Sequence, residues 1–181
     1  LKRTLTCSIY DENKFNPIIQ GNTLSERKKE ALNYYAQLEL EDINVALVNA
    51  ALDQIKETDI YQEYLSAFKL IEEKGDCADF ILAPLLAVYS KYEQNFPEDF
   101  HEKMRSLATD FRYWIDEPGN DVMWYFSENH ALLFHVSQYL AGHLYPDETF
   151  IVSERLGNEQ YKIGKERLEN LLDEFGLQHV R

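Results

Sequence analysis

Hydrophobic residues recur at helical spacing along most of this chain, in segments that are separated by short polar links. From residue 23 onward, apolar positions lie three and four residues apart, as on amphipathic α-helices. The pattern predicts an all-α fold of about seven helices, and the short links predict antiparallel helical hairpins. Ile151-Val152 is at most a scrap of strand, and residues 1–22 lack a period and are predicted to be irregular.

Capping residues predict where the first three helices begin and end. Thr23 and Glu26 have the spacing of a capping box, which starts a helix that should run to about Gln37. The second helix is predicted to start near Glu41. The third is predicted over residues 59–74, with Gly75 in the left-handed position that ends many helices.

Prolines shape the predictions for the fourth and fifth helices. Asp76 is predicted to cap a fourth helix, in which Pro84 should cause a kink or a restart. Pro97 fits the first turn of the fifth helix, and Pro118-Gly119 should end it. The apolar stripe of this fifth helix comprises Phe100, Met104, Leu107, Phe111, Trp114 and Ile115.

The sixth helix is apolar or small on every side, which is typical of a buried helix. Ser127 is predicted to cap it, and Asn158 to cap a seventh helix that ends near Gly176. His135 and His143 are predicted to pack in the core. One broad arc of the sixth helix carries Leu132, Leu133, Val136, Leu140 and Leu144. The opposite side, which should let another helix approach closely, carries Ala131, Ser137, Ala141 and Gly142.

The strongly acidic composition removes two classes of partner. A net charge of -14 repels phosphate backbones and anionic membrane surfaces. No apolar run approaches the roughly 20 residues that cross a bilayer. Cys7 and Cys77 are distant and lack metal-ligand spacing, so neither a metal nor another cofactor is indicated. Two unpaired thiols favour a reducing compartment such as the cytoplasm.

One stretch, from the loop near residue 116 to the start of the sixth helix, concentrates the candidate chemistry. The unpaired amides of the first helical turn and the helix dipole favour a bound anion there. Aromatic side chains give flat surfaces for a sugar ring. The same residues also fit a structural role, in which they cap the helix and fix the loop to the core. The stretch contains Asp116, Glu117, Asp121, Trp124, Tyr125, Phe126, Glu128, Asn129 and His130.

Residues 111–150 resemble a family of uncharacterised bacterial proteins with an (α/α)-toroid fold. The resemblance is carried by Phe111–Gly119 (FRYWIDEPG), Trp124–His130 (WYFSENH), Tyr139–Gly142 (YLAG) and Leu144–Asp147 (LYPD). Polysaccharide lyases and many glycosidases share this fold. A complete toroid needs more hairpins than the pattern predicts, so residues 23–181 are expected to be part of a larger toroid in a longer chain, or else an incomplete toroid.

The resemblance to toroidal lyases implies a set of roles for this stretch on an acidic polysaccharide. Asn129 would bind the uronate carboxylate, His130 would remove the proton α to it, and Tyr125 would act as the acid. Arg112 would support the carboxylate, and Trp124 would line the groove.

A hydrolase would instead need two carboxylates at a suitable separation. Glu128 could supply one, and Asp116, Glu117 or Asp121 the other. The alternative from another class is a helical scaffold or protein-interaction domain without chemistry. In that case the stretch would only fix the packing of the helices.

Overall fold

A computed structural model describes residues 21–37, 43–52 and 60–174 of the chain. The chain divides into two compact units, Leu1–Leu40 and Glu41–Arg181. The described ranges contain seven α-helices and no strand, which confirms the all-α class. The predicted scrap of strand is wrong, since only an isolated antiparallel bridge joins Thr149 to Leu156. None of the helices in these ranges has the length and apolar character needed to cross a membrane.

Helix α1, Leu24–Ala36, belongs to the first unit and begins as predicted. The amide of Glu26 donates to Thr23 Oγ1 at 3.2 Å, and the amide of Thr23 donates to the Glu26 carboxylate at 2.8 Å. These two bonds form the capping box and satisfy amides that the helix itself leaves unpaired. The predicted irregular segment lies outside the described residues except for Gly21 and Asn22, so the boundary after residue 22 stays a prediction.

Helices α2, Ile43–Ala51, and α3, Ile60–Glu72, open the second unit. The predicted start of α2 near residue 41 lies outside the described residues. At the end of α3 the left-handed residue is Lys74, with φ 49°, and not Gly75. The amide of Lys74 donates to the Ile71 carbonyl, and that of Gly75 donates to the Leu70 carbonyl. The chain therefore reverses one residue earlier than predicted, with Gly75 in the following position of the same motif.

Helix α4, Ala78–Tyr92, continues through Pro84, so the predicted restart is wrong. Its N-cap is Cys77, with a left-handed φ of 64°, and not Asp76. The short 3-10 turn Glu93–Asn95 follows. Helix α5, Glu98–Asp110, has Pro97 as its N-cap, one position before the predicted first turn.

Helix α5 ends at Asp110, and the prediction that it runs to Pro118-Gly119 is wrong. Phe111 is extended, with ψ 146°. The Tyr113 hydroxyl donates to the Ala108 carbonyl at 2.7 Å, and the Ile151 amide donates to the Thr109 carbonyl at 2.8 Å. These tertiary hydrogen bonds satisfy carbonyls that another helical turn would otherwise have used. The apolar stripe that predicted the longer helix therefore extends past the end of α5 into the following loop.

Helices α6, Glu128–Leu144, and α7, Gly157–Glu174, form a close antiparallel pair. A Cβ added at Gly164 would lie 2.6 Å from the Tyr139 backbone nitrogen, and one at Gly142 would clash with the Tyr161 backbone. The small side of α6 therefore admits a second helix, as predicted. Helix α7 begins one residue before the predicted cap Asn158, and its predicted end at residue 176 lies outside the described residues.

The buried face of α6 is not the leucine arc that its pattern emphasised. Phe134, Ser137, Gln138 and Ala141 are fully buried, because α7 and α4 pack on that side. Leu132, on the predicted arc, is 40% exposed. His135 is buried as predicted. The prediction that His143 packs in the core is wrong, because it is exposed.

Candidate functional site

The loop between α5 and α6 is held in shape by Arg112. Its Nε donates to the Glu117 carbonyl at 2.8 Å, and its Nη1 donates to Asp121 Oδ2 at 2.9 Å. Its Nη2 donates to the Ile115 carbonyl at 3.3 Å. Three of the five N–H donors of the guanidinium are thus used within the loop. Arg112, predicted to support a substrate carboxylate, serves as a brace of the loop instead.

Asp121 and Tyr125 belong to the same cluster. Asp121 Oδ1 accepts from the Met123 amide at 3.1 Å and from the Tyr125 hydroxyl at 3.4 Å. The Tyr125 ring is buried against Phe134, with ring centroids 4.5 Å apart. Burial raises the pKa of Tyr125 well above its ordinary value, and the Asp121 charge adds to the rise. Tyr125 therefore gives up its proton less readily than an exposed tyrosine, which counts against the predicted role as acid.

Asp116 is paired with two arginines that the sequence analysis did not identify. It accepts from Arg155 Nη2 at 3.1 Å and from Arg167 Nη2 at 2.9 Å. Partial burial works to raise the pKa of Asp116. The hydrogen bonds and charges of Arg167 and Arg155 outweigh that effect and hold the pKa below its ordinary value. The carboxylate is therefore ionised and already paired with two arginines of the protein, although 39% of its side chain is exposed.

Glu117 is the most enclosed of the predicted site residues on the loop. Only 2% of it is exposed, and its Oε2 accepts from the Tyr113 amide at 2.7 Å. Its Oε1 accepts from Gln160 Nε2 at 2.7 Å and lies 3.5 Å from Arg155 Nη1. Burial raises the pKa of Glu117, although the hydrogen bonds from Gln160 and Tyr113 act against the rise.

Two buried glutamines extend this polar network into the pair of helices. Gln138 Nε2 of α6 donates to Gln160 Oε1 of α7 at 2.6 Å, and both side chains are fully buried. Arg167 Nη1 donates to Gln138 Oε1 at 3.0 Å. The sequence signal for this network was a glutamine on each buried helix face. We refer to Asp116, Glu117, Gln138, Arg155, Gln160 and Arg167 as the loop network.

The first turn of α6 holds two exposed site candidates. Glu128 and Asn129 are both exposed. Ser127 occupies the N-cap position as predicted, but its hydroxyl donates to Asn129 Oδ1 at 2.6 Å and not to the backbone. The structure therefore places Asn129 on the surface, with its side-chain oxygen already occupied by a neighbour.

His130, one position further on, points inward. Its Nδ1 lies 2.8 Å from Oδ2 of Asp79 on α4, and Asp79 is fully buried. The Phe80 ring meets the imidazole edge-on, with centroids 5.0 Å apart. Burial raises the pKa of Asp79, although the hydrogen bond and charge of His130 oppose the rise. Asp79 lies 51 positions from His130 in the sequence. The feature of the sequence that could have identified it is an acidic residue at the start of the apolar helix α4.

An outward-facing row of apolar side chains runs along the end of the loop. Val122, Trp124 and Phe126 are 75%, 53% and 74% exposed, whereas Met123 and Tyr125 are buried. The alternation over residues 122–125 is typical of an extended chain with one side in the core, and the chain bends at Phe126 before α6 begins. The rings of Trp124 and Phe126 meet edge-to-face, with centroids 5.7 Å apart. We call Val122, Trp124 and Phe126 the apolar row.

The arrangement separates residues that the sequence placed in one site. Arg112, Asp121 and Tyr125 brace the loop, Asp116 and Glu117 belong to the loop network, and His130 pairs with Asp79. Trp124, Glu128 and Asn129 remain at the surface. Across the residues that the structure describes, no three His, Cys, Asp or Glu side chains are placed to hold a metal ion.

Comparisons with protein-family models, with curated proteins and with solved structures found no match for this chain. The resemblance of residues 111–150 to (α/α)-toroid proteins therefore stays a prediction. The helical class that the resemblance implies is observed in the fold.

Proposed function

We propose that this chain is a non-catalytic helical interaction module that binds a partner protein through the apolar row. One observation carries the proposal. Arg112, Asp116, Glu117 and Asp121 of the loop are each already paired with a charged group of the protein, whereas three large apolar side chains in sequence alternation face outward. Exposed apolar groups on a rigid support are typical of interaction surfaces.

The electrostatics favour this function over binding of an acidic polysaccharide. The net charge is -14, which repels a polyanion at long range. Three arginines near the loop would be the natural ligands of a uronate carboxylate. Arg112, Arg155 and Arg167 each already contact a carboxylate of the protein, and releasing one of them would break that ion pair at a cost.

A second candidate function, carbohydrate-active chemistry, is favoured by one observation, the Asp79–His130 pair. A carboxylate that holds one imidazole nitrogen orients the ring and leaves the other nitrogen for proton transfer. The exposed Trp124 ring is a surface on which a sugar could stack. For lyase chemistry, Asn129 would also have to give up its hydrogen bond with Ser127 in order to bind the carboxylate of the substrate.

The discriminating experiment measures turnover and thermal stability with neutral and uronate-containing oligosaccharides. For an interaction module we expect no turnover and no shift in melting temperature. His130→Ala and Asn129→Ala are compared with Glu98→Ala, which alters an exposed acid in the first turn of α5. Turnover by the unaltered protein that both site variants lose, and Glu98→Ala keeps, would overturn the proposal and establish the lyase.

A further inference from the structure

The backbone beneath the apolar row is an unpaired edge. Within the described part of the chain, the amides and carbonyls of Val122, Trp124 and Phe126 make no hydrogen bond. The amide of Met123, whose side chain points to the core, is bonded to Asp121. In an extended chain, the N–H and C=O groups of alternate residues point to the same side. Residues 122 and 124, which precede the bend at Phe126, therefore present donors and acceptors along one edge.

The segment that carries this edge is anchored by side chains that point into the core. Met123 is 6% exposed and Tyr125 5%, so both anchor the segment between the exposed positions. The Arg112 guanidinium lies over the Tyr125 ring at 5.2 Å and also bonds Asp121. An edge that is already ordered loses little conformational entropy when a second strand pairs with it.

We propose that residues 122–126 bind an extended segment of a basic partner protein by strand addition, with alternate apolar residues of that segment on the apolar row. The inference rests on the proposed function and names its partner and its mode. Unpaired backbone groups beside exposed apolar side chains are the combination that strand addition uses, the first for affinity and the second for specificity.

The net charge of the protein favours one of two possible partner strands, a segment of a basic protein, over a second copy of this chain. A second copy of this chain would bring another net charge of -14 to the edge, and the two copies would repel. Glu128 is exposed where the row meets α6. A lysine or arginine of the partner would be attracted there, so the partner segment is basic as well as alternately apolar.

The test uses a synthetic probe, an end-blocked peptide in which valine alternates with lysine, and a matched peptide that is N-methylated at alternate amides along one edge. Both peptides carry the same charge and side chains, but the methylated one lacks the edge donors. Binding is measured by fluorescence anisotropy of labelled peptides. We expect binding of the first peptide and at least about tenfold weaker binding of the second, since a lost hydrogen bond contributes roughly a factor of ten.

Two variants of the protein test the same edge from the other side. Val122→Ala and Val122→Pro both replace the exposed valine side chain, but only Pro removes the N–H. We expect Val122→Pro to bind about tenfold more weakly than Val122→Ala. Circular dichroism checks that both variants fold. If Val122→Pro does not fold, the comparison of the plain and the methylated peptide tests strand addition on the unaltered protein.

Three outcomes would overturn strand addition to a basic partner. The first is equal binding of the two peptides, which would leave an apolar docking surface and so spare the interaction module. The second is no binding of either peptide. The third is a dimer in sedimentation that Val122→Pro abolishes, which would make a second copy the occupant. The interaction module itself fails only through the turnover experiment, so the two failures are distinguishable.

Discussion

The two loop acids of the loop network, Asp116 and Glu117, lie only about a dozen residues before the first turn of α6 in sequence, yet the two regions differ in nearly every physical respect. Glu117 is 2% exposed and has contacts with Tyr113, Gln160 and Arg155. Glu128, of the same residue type, is exposed in the first turn of α6. Identical chemistry thus supports the packing in one region and faces solvent in the other.

The difference shows what a cluster of polar residues in sequence does and does not indicate. Charged residues in a loop need partners once the loop is buried, because an unpaired charge in a poorly solvated place is costly. The partners here come from α7, through Gln160 and Arg167, and from Arg155 in the link just before α7. The acids that pointed to substrate binding are therefore better explained by the antiparallel helix pair that they join.

The largest expected effect belongs to Glu117. Glu117→Ala leaves Gln160, Arg155 and the Tyr113 amide without their shared acceptor. We expect a loss of about 3 kcal/mol in the free energy of unfolding, which is typical when one partner of a buried charged network is removed. Both tryptophans, Trp114 and Trp124, lie in the second unit, so urea unfolding followed by tryptophan fluorescence reports this unit.

The matched control for Glu117→Ala is Glu128→Ala, which removes the same group from the surface. We expect it to change the free energy of unfolding by less than about 0.5 kcal/mol. Equal losses in the two variants would show that burial does not separate the two regions.

The next expected effect is a dependence on pH that arises where α6 meets the loop. His135 is buried against Trp114, with ring centroids 4.4 Å apart. Burial lowers the pKa of His135 to about 4, and the nearby Arg167 charge acts in the same direction. The folded protein thus holds this imidazole neutral, so its contribution is complete above the ordinary pKa near 6.5 and is lost as pH falls toward 4.

His135→Phe should remove this dependence and keep the ring contact with Trp114. Relative to the unaltered protein, we expect the variant to gain on the order of 3 kcal/mol between pH 6.5 and 4. The comparison at each pH cancels the opposite trends of Glu117 and Asp79, whose raised pKa values make the fold less stable as pH rises through that range. His143→Gln, an exposed histidine of the same helix, is the control. Parallel pH curves for His135→Phe and the unaltered protein would contradict the prediction.

The sequence predicted the helices well where their ends are fixed by local chemistry. The capping box of Thr23 is local, and so is the run of small residues that admits α7 beside α6. The end of α5 was not predictable in this way, because the Tyr113 hydroxyl and the Ile151 amide that satisfy its carbonyls lie outside the helix. The leucine arc of α6 did not predict the buried face of that helix, for a related reason. Burial depends on which side a neighbour covers, and a hydrophobic stripe does not encode that neighbour.

The sequence predicted where the polar and aromatic residues concentrate, but not which partners each of them contacts. The stretch 116–130 does concentrate polar and aromatic residues around a helix start. The residues that decide their roles are Asp79, Arg155, Gln160 and Arg167, which belong to other parts of the chain. Long-range pairing of this kind leaves only faint local signals, such as one acid in an apolar helix.

The Asp79–His130 pair should have an intermediate effect, because it is buried but consists of one hydrogen bond. We expect Asp79→Ala to cost about 2 kcal/mol, since it leaves the imidazole Nδ1 without a partner. Asp79→Asn keeps an oxygen acceptor and should cost less. A double-mutant cycle with His130→Ala, measured by urea unfolding, gives the coupling energy, and we expect about 1–2 kcal/mol for residues in contact. A coupling near zero would mean that the pair does not link α4 to α6.

The smallest expected effect belongs to Asn129, although a scaffold in which this stretch fixes the packing of the helices would need Asn129 for stability. The structure gives Asn129 an exposed position and one hydrogen bond from Ser127. We therefore expect Asn129→Ala to change the free energy of unfolding by less than about 0.5 kcal/mol. The measurement is again urea unfolding, with Ser127→Ala as the partner variant. A loss above about 1.5 kcal/mol would place Asn129 among the buried supports of the loop. The first turn of α6 and the loop network would then be one structural region and not two.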